Sequence, residues 1–291
     1  DALAAIESIY QTRNEPEEYI AYIDMIGKGA TKTEDEKENM LFNAAEQIYL
    51  SENYQKALVS LQSFLDKYPD GRNAYKADFY MAESYRNLAK YDQACDSYRR
   101  VIEKGEGSFV ELSMLNFSDL SYHLERWEDA YGGYSSLYSS ALLENNKSAA
   151  AVGMMRSAFK SHNWTEAVRN SDRVLADTRS GAQTKVEAQY VKAKSYLASS
   201  RREEAYSIFN DLAKDATSTY GAEAAYLLIL DSYDKGEFDA VEEKVYAFSD
   251  AGSGQVYRLA KSFIVLGDSF ADHGELKQAQ ATFESIRNAY T

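Results

Sequence analysis

Apolar and polar residues alternate along this chain with a long period that is marked by a recurring small residue. Seven such anchor positions follow one another at nearly constant intervals: Ala57, Ala94, Ala130, Ala167, Ala205, Val241 and Ala279. A large residue, usually aromatic, precedes each anchor by three places, and mostly apolar residues follow it by four and seven. A period of roughly 37 residues is typical of a solenoid of small units, none of which buries its apolar face alone.

The unit at residues 73–105 shows most clearly how each repeat is built. Its first half places Phe79 and Ala82 three places apart, and its second half carries Tyr91, Ala94 and Tyr98. Spacings of three and four places predict an apolar stripe on each of two helices. The short connection between them permits only antiparallel packing, so the unit is predicted to be a helix hairpin. Hairpins are predicted to begin near residues 37, 74, 110, 147, 184, 221 and 257.

These residues resemble a tetratricopeptide repeat. The resemblance rests on Met81-Ala82-Glu83-Ser84-Tyr85 followed by Tyr91-Asp92-Gln93-Ala94, on residues 54–57 with the ending FLDKYPDG, and on residues 266–270 with 276–279. It covers seven units over residues 36–291, preceded at residues 1–30 by a degenerate pair of helices. The family implies an all-α fold, a right-handed α–α superhelix of antiparallel hairpins, which we expect to form one domain over residues 1–291.

The segment YQKALVSLQSFLDKYPDG is similar to repeats of bacterial envelope proteins, the barrel-assembly lipoproteins and the Tol–Pal-associated coordinator. This similarity implies a periplasmic or outer-membrane-associated location, with the cytoplasm left open. The chain opens directly into a helical pattern without Met or a signal peptide and stops at the end of another helix. We therefore expect it to be a fragment of a longer repeat protein.

Composition narrows the class of partner. The chain has 32 Lys and Arg against 46 Asp and Glu, a formal net charge of −14, which argues against nucleic acid and anionic lipid and favours cationic protein segments. The mean hydropathy is −0.52, and no apolar run approaches the length needed to span a bilayer. The oligomeric state is left open by the sequence.

Candidate chemistry is sparse. No phosphate-binding loop, dinucleotide fingerprint, zinc-protease motif or serine-hydrolase motif occurs. The three histidines, His123, His162 and His273, fall in different repeats, and Cys95 is the single cysteine. We therefore predict no catalytic residues, no metal site, no cofactor and no enzymatic activity.

The resemblance also implies a binding surface, because first-helix positions fifteen, eleven and eight places before each anchor line the concave groove of a tetratricopeptide superhelix. The partner-binding residues predicted in this way are Phe42, Glu46, Tyr49, Phe79, Glu83, Arg86, Asp119, Tyr122, Arg156 and Phe159. An aromatic floor with a charged rim suits an extended or helical peptide. The charge is acidic in the first three units and basic in the next two, so basic partner segments are expected towards the amino-terminal end. Alternatively, neighbouring first helices pack on one another with these same aromatic residues.

We interpret the chain as a non-catalytic scaffold that binds a protein or peptide partner on its concave face within a bacterial envelope assembly. One alternative is a carbohydrate-binding outer-membrane lipoprotein built on the same repeat. That function needs exposed tryptophans on long loops, whereas Trp127 and Trp164 stand three places before anchors. Another alternative is the helper region of an enzyme whose catalytic domain lies outside this segment.

Overall fold

The computed structural model describes residues 2–105 and 107–289, and these residues form sixteen α-helices with no strand among them. The helices are α1 (Ala2–Arg13), α2 (Pro16–Met25), α3 (Glu34–Leu50), α4 (Tyr54–Lys67), α5 (Ala74–Asn87), α6 (Tyr91–Lys104), α7 (Val110–His123), α8 (Trp127–Ser140), α9 (Glu144–Lys160), α10 (Trp164–Ala176), α11 (Ala182–Ala198), α12 (Arg202–Leu212), α13 (Thr219–Asp234), α14 (Phe238–Asp250), α15 (Val256–Asp272) and α16 (Leu276–Ala289). Short 3-10 helices occupy Gly29–Thr31 and Ala213–Asp215.

Consecutive helices pair as the periodicity predicts. The first helices of the seven full repeats, α3, α5, α7, α9, α11, α13 and α15, each begin within four places of the predicted starts. The all-α hairpin architecture is therefore confirmed. One domain is predicted over residues 1–291, and its terminal residues 1, 290 and 291 lie outside the described residues.

The chain divides into two compact units, Asp1–Gly153 and Met154–Thr291. In the first unit α4 packs on α5 and α6 packs on α7, so each hairpin contacts the first helix of the next. In the second unit α12 packs on α13 and α14 on α15 in the same way. The continuity of one solenoid across both units stays a prediction.

Each hairpin closes around its anchor residue. Six of the seven anchors are fully buried, and the seventh, Ala279, is 5% exposed. In α5/α6 the buried core contains Phe79, Ala94 and Tyr98 and is completed by Phe117 of α7. A hairpin therefore buries its apolar stripe only when the next first helix covers it, which explains why the pattern repeats.

The turn between the two helices of each hairpin has a constant geometry. The residue five places before every anchor has a left-handed backbone, and these residues are Glu52, Ala89, Glu125, His162, Ser200, Gly236 and Gly274. In α5/α6 the amide of Lys90 donates to the carbonyl of Tyr85 at 2.9 Å, closing the Schellman motif that ends the first helix. Five of the seven positions carry a side chain in a conformation that favours glycine.

The same turn is present in the N-terminal pair α1/α2. Asn14 has a φ of 59°, and the amide of Glu15 donates to the carbonyl of Tyr10 at 3.0 Å. Tyr19, five places after Asn14, is 2% exposed and takes the place of the small anchor. The predicted degenerate pair is thus a further hairpin in which a large residue replaces the small one.

Replacing Ala89, whose φ is 55°, with glycine should stabilise the protein by about 1 kcal/mol because it removes left-handed strain. The reciprocal change Gly236→Ala should destabilise it by a similar amount. A Cβ at Gly236 would meet no atom within 4 Å, so this variant reports backbone strain alone. Urea denaturation of both variants measures the effect, and shifts of the same sign would contradict this account of the turn.

Candidate functional site

The predicted residues of the first unit lie on its three full first helices. We call the surface formed by Glu46 and Tyr49 of α3, Glu83 and Arg86 of α5, and Asp119 and Tyr122 of α7 the first-helix face. Contacts between side chains of neighbouring first helices connect α3 with α5, and α5 with α7. Glu46 and Glu83 thus each contact the next first helix, and the role of these residues in binding a partner stays a prediction.

Phe42 and Phe79 do not belong to this surface. They are 3% and 5% exposed, and the ring of Phe79 stacks on that of Phe109 with centroids 4.1 Å apart. Phe42 packs edge-on against Phe64, with ring centroids 5.6 Å apart. The structure thus corrects the prediction of an aromatic floor at these two positions, because the side chain fifteen places before the anchor enters the core.

The aromatic residues eight places before the anchors remain half-buried. Tyr49 stacks on Tyr80 of the neighbouring first helix with ring centroids 4.4 Å apart. Tyr122 packs edge-on against Trp127, with centroids 4.9 Å apart. The packing of Tyr49 on Tyr80 joins α3 and α5, as expected if neighbouring first helices pack on one another with their aromatic residues. Each of the two tyrosines nevertheless keeps part of its surface accessible.

Each carboxylate of the first-helix face accepts a hydrogen bond from a tyrosine hydroxyl. The pairs are Tyr80–Glu46 at 2.9 Å, Tyr98–Glu83, and Tyr134–Asp119 at 2.5 Å. Tyr98 and Tyr134 each stand four places after an anchor and fifteen places after their carboxylate. This spacing was visible in the sequence, but it gains meaning only once the two helices of a hairpin are known to face each other.

Glu83 is the most connected residue of the first-helix face. It accepts a hydrogen bond from Asn116 Nδ2 of α7 at 2.9 Å and forms an ion pair with Arg86 at 3.4 Å. The Asn116 amide also donates to the Tyr98 oxygen at 3.2 Å. Because the Glu83 side chain is only 15% exposed, these contacts hold a charged group in one place between α5, α6 and α7.

Burial and nearby carboxylates raise the pKa of Tyr49, Tyr80 and Tyr98. For Tyr98 and Tyr80, burial is the larger cause, followed by the hydrogen bonds to Glu83 and Glu46. The pKa of Tyr49 is raised by burial and then by the charge of Glu83. The hydroxyls of these three tyrosines therefore remain neutral near neutral pH.

The predicted residues of the second unit, Arg156 and Phe159, both belong to α9. The Arg156 guanidinium forms a two-point contact with Glu187 of α11, with Nε–Oε1 at 2.7 Å and Nη2–Oε2 at 2.6 Å. Phe159 packs edge-on against Trp164, with ring centroids 5.7 Å apart. The carboxylate of Glu187 thus balances the positive charge of Arg156. The anchor spacing did not predict Glu187 as a residue of the site.

Two further kinds of feature bear on function, namely clusters of possible metal ligands and helices that could span a membrane. Across residues 2–105 and 107–289, no group of three or more His, Cys, Asp or Glu could hold a metal ion. Cys95 is buried, and burial raises the pKa of its thiol. None of the helices in these residues is long and apolar enough to cross a bilayer.

The tyrosine–carboxylate pairs should contribute unequally to stability because Glu83 is more buried than Asp119. A double-mutant cycle of Tyr98→Phe with Glu83→Ala should give a coupling of about 2 kcal/mol. The matched cycle of Tyr134→Phe with Asp119→Ala should give about 0.5–1 kcal/mol. Chemical denaturation measures both, and equal couplings would show that burial does not set the strength of these pairs.

Alkaline pH should lower the stability of the fold through ionisation of Tyr80 and Tyr98. Their folded pKa values lie above the ordinary value of 10.0, so the stabilisation is complete below that pH and is lost as the pH rises through the folded pKa. The Tyr80→Phe/Tyr98→Phe variant should therefore lose less stability above about pH 10 than the parent protein. Tyr246→Phe, at a side chain that is 47% exposed, serves as control. The same alkaline loss in all three proteins would contradict the proposed linkage.

Comparison with known proteins agrees with this architecture. The tetratricopeptide repeat family model matches residues 40–71 and 76–104. A TPR repeat-containing protein of Methanocaldococcus jannaschii is 30% identical over 91 residues, which are 30% of this chain and 28% of that protein. The chain therefore spans less than a third of that relative.

Two solved structures are similar to the chain. One is a tetratricopeptide repeat protein from Parabacteroides merdae, with 16% identity, 87% of this chain and 93% of that chain covered, and a TM-score of 0.46. The other is the apo form of the quorum sensor NprR from B. thuringiensis, with 14% identity, coverage of 99% and 86%, and a TM-score of 0.40. Residues 40–71 and 76–104 thus match the tetratricopeptide repeat family, and the helix hairpins that these residues form, α3/α4 and α5/α6, have the architecture expected of that repeat.

Proposed function

We propose that the first-helix face of the first unit binds a partner protein segment that carries lysine or arginine. Tetratricopeptide repeats generally act as protein-interaction scaffolds without catalytic activity. The proposal adds the chemistry of the partner to this general role. Its support is the row of Glu46, Glu83 and Asp119, one carboxylate per repeat.

The observation that most directly supports this proposal is that a tyrosine hydroxyl donates a hydrogen bond to each of the three carboxylates. A tyrosine hydroxyl fixes the position of a carboxylate but does not cancel its charge. Arg86 offsets one of the three charges through its ion pair with Glu83, so the ordered row keeps a net negative charge. Asp119 is exposed, and the protein as a whole has a net charge of −14. An ordered row of like charges favours a cationic partner because little side-chain entropy is lost on binding.

The row of carboxylates suggests which conformation such a segment would adopt. A chain in the polyproline II conformation has three residues per turn and rises about 3.1 Å per residue, so side chains three positions apart lie on one side of it. Cationic residues at every third position of such a segment would therefore all face the row of carboxylates.

Tyr49 and Tyr122 would supply much of the affinity. Exposed ion pairs contribute only about 0–1 kcal/mol each, whereas aromatic side chains at the centre of an interface contribute more. Both tyrosines are half-buried and retain accessible surface between the charged positions. Phe42 and Phe79, in the core, would support the surface without contacting the partner.

The test uses a fluorescent peptide with three lysines at every third position and measures its affinity by polarisation. The Glu46→Gln/Glu83→Gln/Asp119→Asn variant should weaken binding by about tenfold or more and reduce its salt dependence. Tyr49→Ala/Tyr122→Ala should weaken binding further while leaving more of the salt dependence.

The matched control is Asp66→Asn/Glu103→Gln/Glu128→Gln, which removes the same charge from three exposed residues on second helices of the first unit. It should leave the affinity nearly unchanged. An equal loss of affinity in both charge variants would mean that net charge, rather than the first-helix face, attracts the peptide.

We further propose that this scaffold works in a bacterial envelope assembly. The support is the resemblance of residues 54–71 to repeats of envelope proteins, together with the need of such assemblies for non-catalytic adaptors. Cell fractionation of the native protein tests the location, and recovery in the cytoplasm alone would refute it.

A further inference from the structure

The second unit contains an apolar groove beside the hairpin α13/α14. It has a volume of about 390 Å³. Ala225 and Leu228 of α13 and Phe248 of α14 line it, together with Ala213 of the 3-10 helix that follows α12. Ala247 and Ala251, at the end of α14, are exposed and form its other side. We call this cavity the α13/α14 groove.

At three positions that line this groove, another repeat carries charged side chains in place of alanine. In α5/α6, Asp78 lies sixteen places before the anchor, and Arg100 and Lys104 lie six and ten places after it. Asp78 is buried and accepts from Arg100 Nε at 2.6 Å and Lys104 Nζ at 2.8 Å. This cluster occupies the side of that hairpin with charged groups.

The same three offsets from Val241 give Ala225, Ala247 and Ala251. Three alanines therefore replace one buried carboxylate and two long cations. The scaffold keeps its packing, since Val241 and Ile229 remain fully buried. Beside these small side chains the surface of the hairpin forms an apolar groove that is open to solvent.

Two lysines stand at the rim of this groove. The half-buried ammonium of Lys244 donates to the neutral hydroxyl of Ser232 at 2.7 Å, and it forms no ion pair within residues 2–105 and 107–289. The Ser232 hydroxyl in turn donates to Glu237 at 3.3 Å. Lys214 pairs with Asp211 at 2.7 Å, but both side chains are mostly exposed, at 76% and 66%, so water screens that pair.

We propose that the α13/α14 groove receives the large apolar side chains of an acidic amphipathic helix from a partner protein. Leucine or phenylalanine side chains one turn apart would enter between Leu228 and Phe248, and flanking carboxylates would pair with Lys244 and Lys214. Helix-in-groove recognition uses this combination of apolar anchors and rim charges. The charge complementarity is local, because the remainder of the protein is acidic and would repel such a helix.

This proposal is independent of the basic segment proposed for the first unit. Its partner has the opposite charge, and the residues that would bind it belong to the second unit alone. Failure of either proposal therefore leaves the other standing.

The probe for the test is a labelled glutamate-rich helical peptide with leucines at positions i and i+4. Its scrambled counterpart places the leucines on opposite faces. The amphipathic probe should bind saturably and the scrambled peptide at least about tenfold more weakly. Ala247→Arg, which restores the residue type found in α5/α6, should fill the groove and reduce affinity by about tenfold or more.

The second part of the test reverses the charge of the two lysines at the rim of the groove. Lys214→Glu/Lys244→Glu should reduce affinity by about tenfold or more, whereas Lys277→Glu, at an exposed position of α16, should change it less than about twofold. Because Ala247 is exposed, Ala247→Arg should keep the helical circular dichroism of the parent. Lys244 is half-buried, so the single variant Lys214→Glu, which changes only an exposed side chain, accompanies the double variant and should reduce affinity in the same direction.

Several results would overturn the proposal. They are equal binding of the scrambled peptide, unchanged binding to Ala247→Arg, or no saturable binding of either peptide. Saturable binding of decanoate without peptide binding would reassign the groove to a small acyl carboxylate and would equally refute a protein partner.

Discussion

The close contact between the two helices of each hairpin, at a small and fully buried anchor residue, is the constraint on which the rest of this structure depends. Because Ala94 and its counterparts bring the helix backbones near each other, the residues four and seven places later reach the opposite helix and the next repeat. The remaining apolar surface is covered only by the following first helix. One packing contact therefore sets the helix pairing, the register and the need for neighbours.

The same register determines what each side of a first helix can do. Fifteen places before the anchor, a side chain such as Phe79 points into the core, whereas eleven places before it Glu83 reaches the surface beside a tyrosine. The constant turn helps to preserve this register. Ala89 and Ser200 adopt the left-handed conformation there without being glycine, which shows that the tertiary packing of the hairpin outweighs local backbone preference.

Variation at equivalent positions gives the repeats different surfaces on one scaffold. The charged cluster around Asp78 and the alanines at Ala225 and Ala247 occupy corresponding positions relative to their anchors, yet one places ion pairs on the side of its hairpin and the other lines an apolar groove. The anchors and the core residues are unaffected by this exchange. Repeats can therefore acquire separate binding chemistry without a change of fold, because each contacts only its neighbours.

The sequence by itself determined the hairpins and their starting positions, because helical periodicity and the anchor spacing are local properties that any one repeat displays. It predicted Phe42 and Phe79 as partner-binding residues, and the structure places both in the core instead. The tyrosine partner of Glu83 and the carboxylate partner of Arg156 also come from other helices. Burial and pairing of this kind depend on which neighbouring side chain occupies the space beside a residue, and only the tertiary structure decides that.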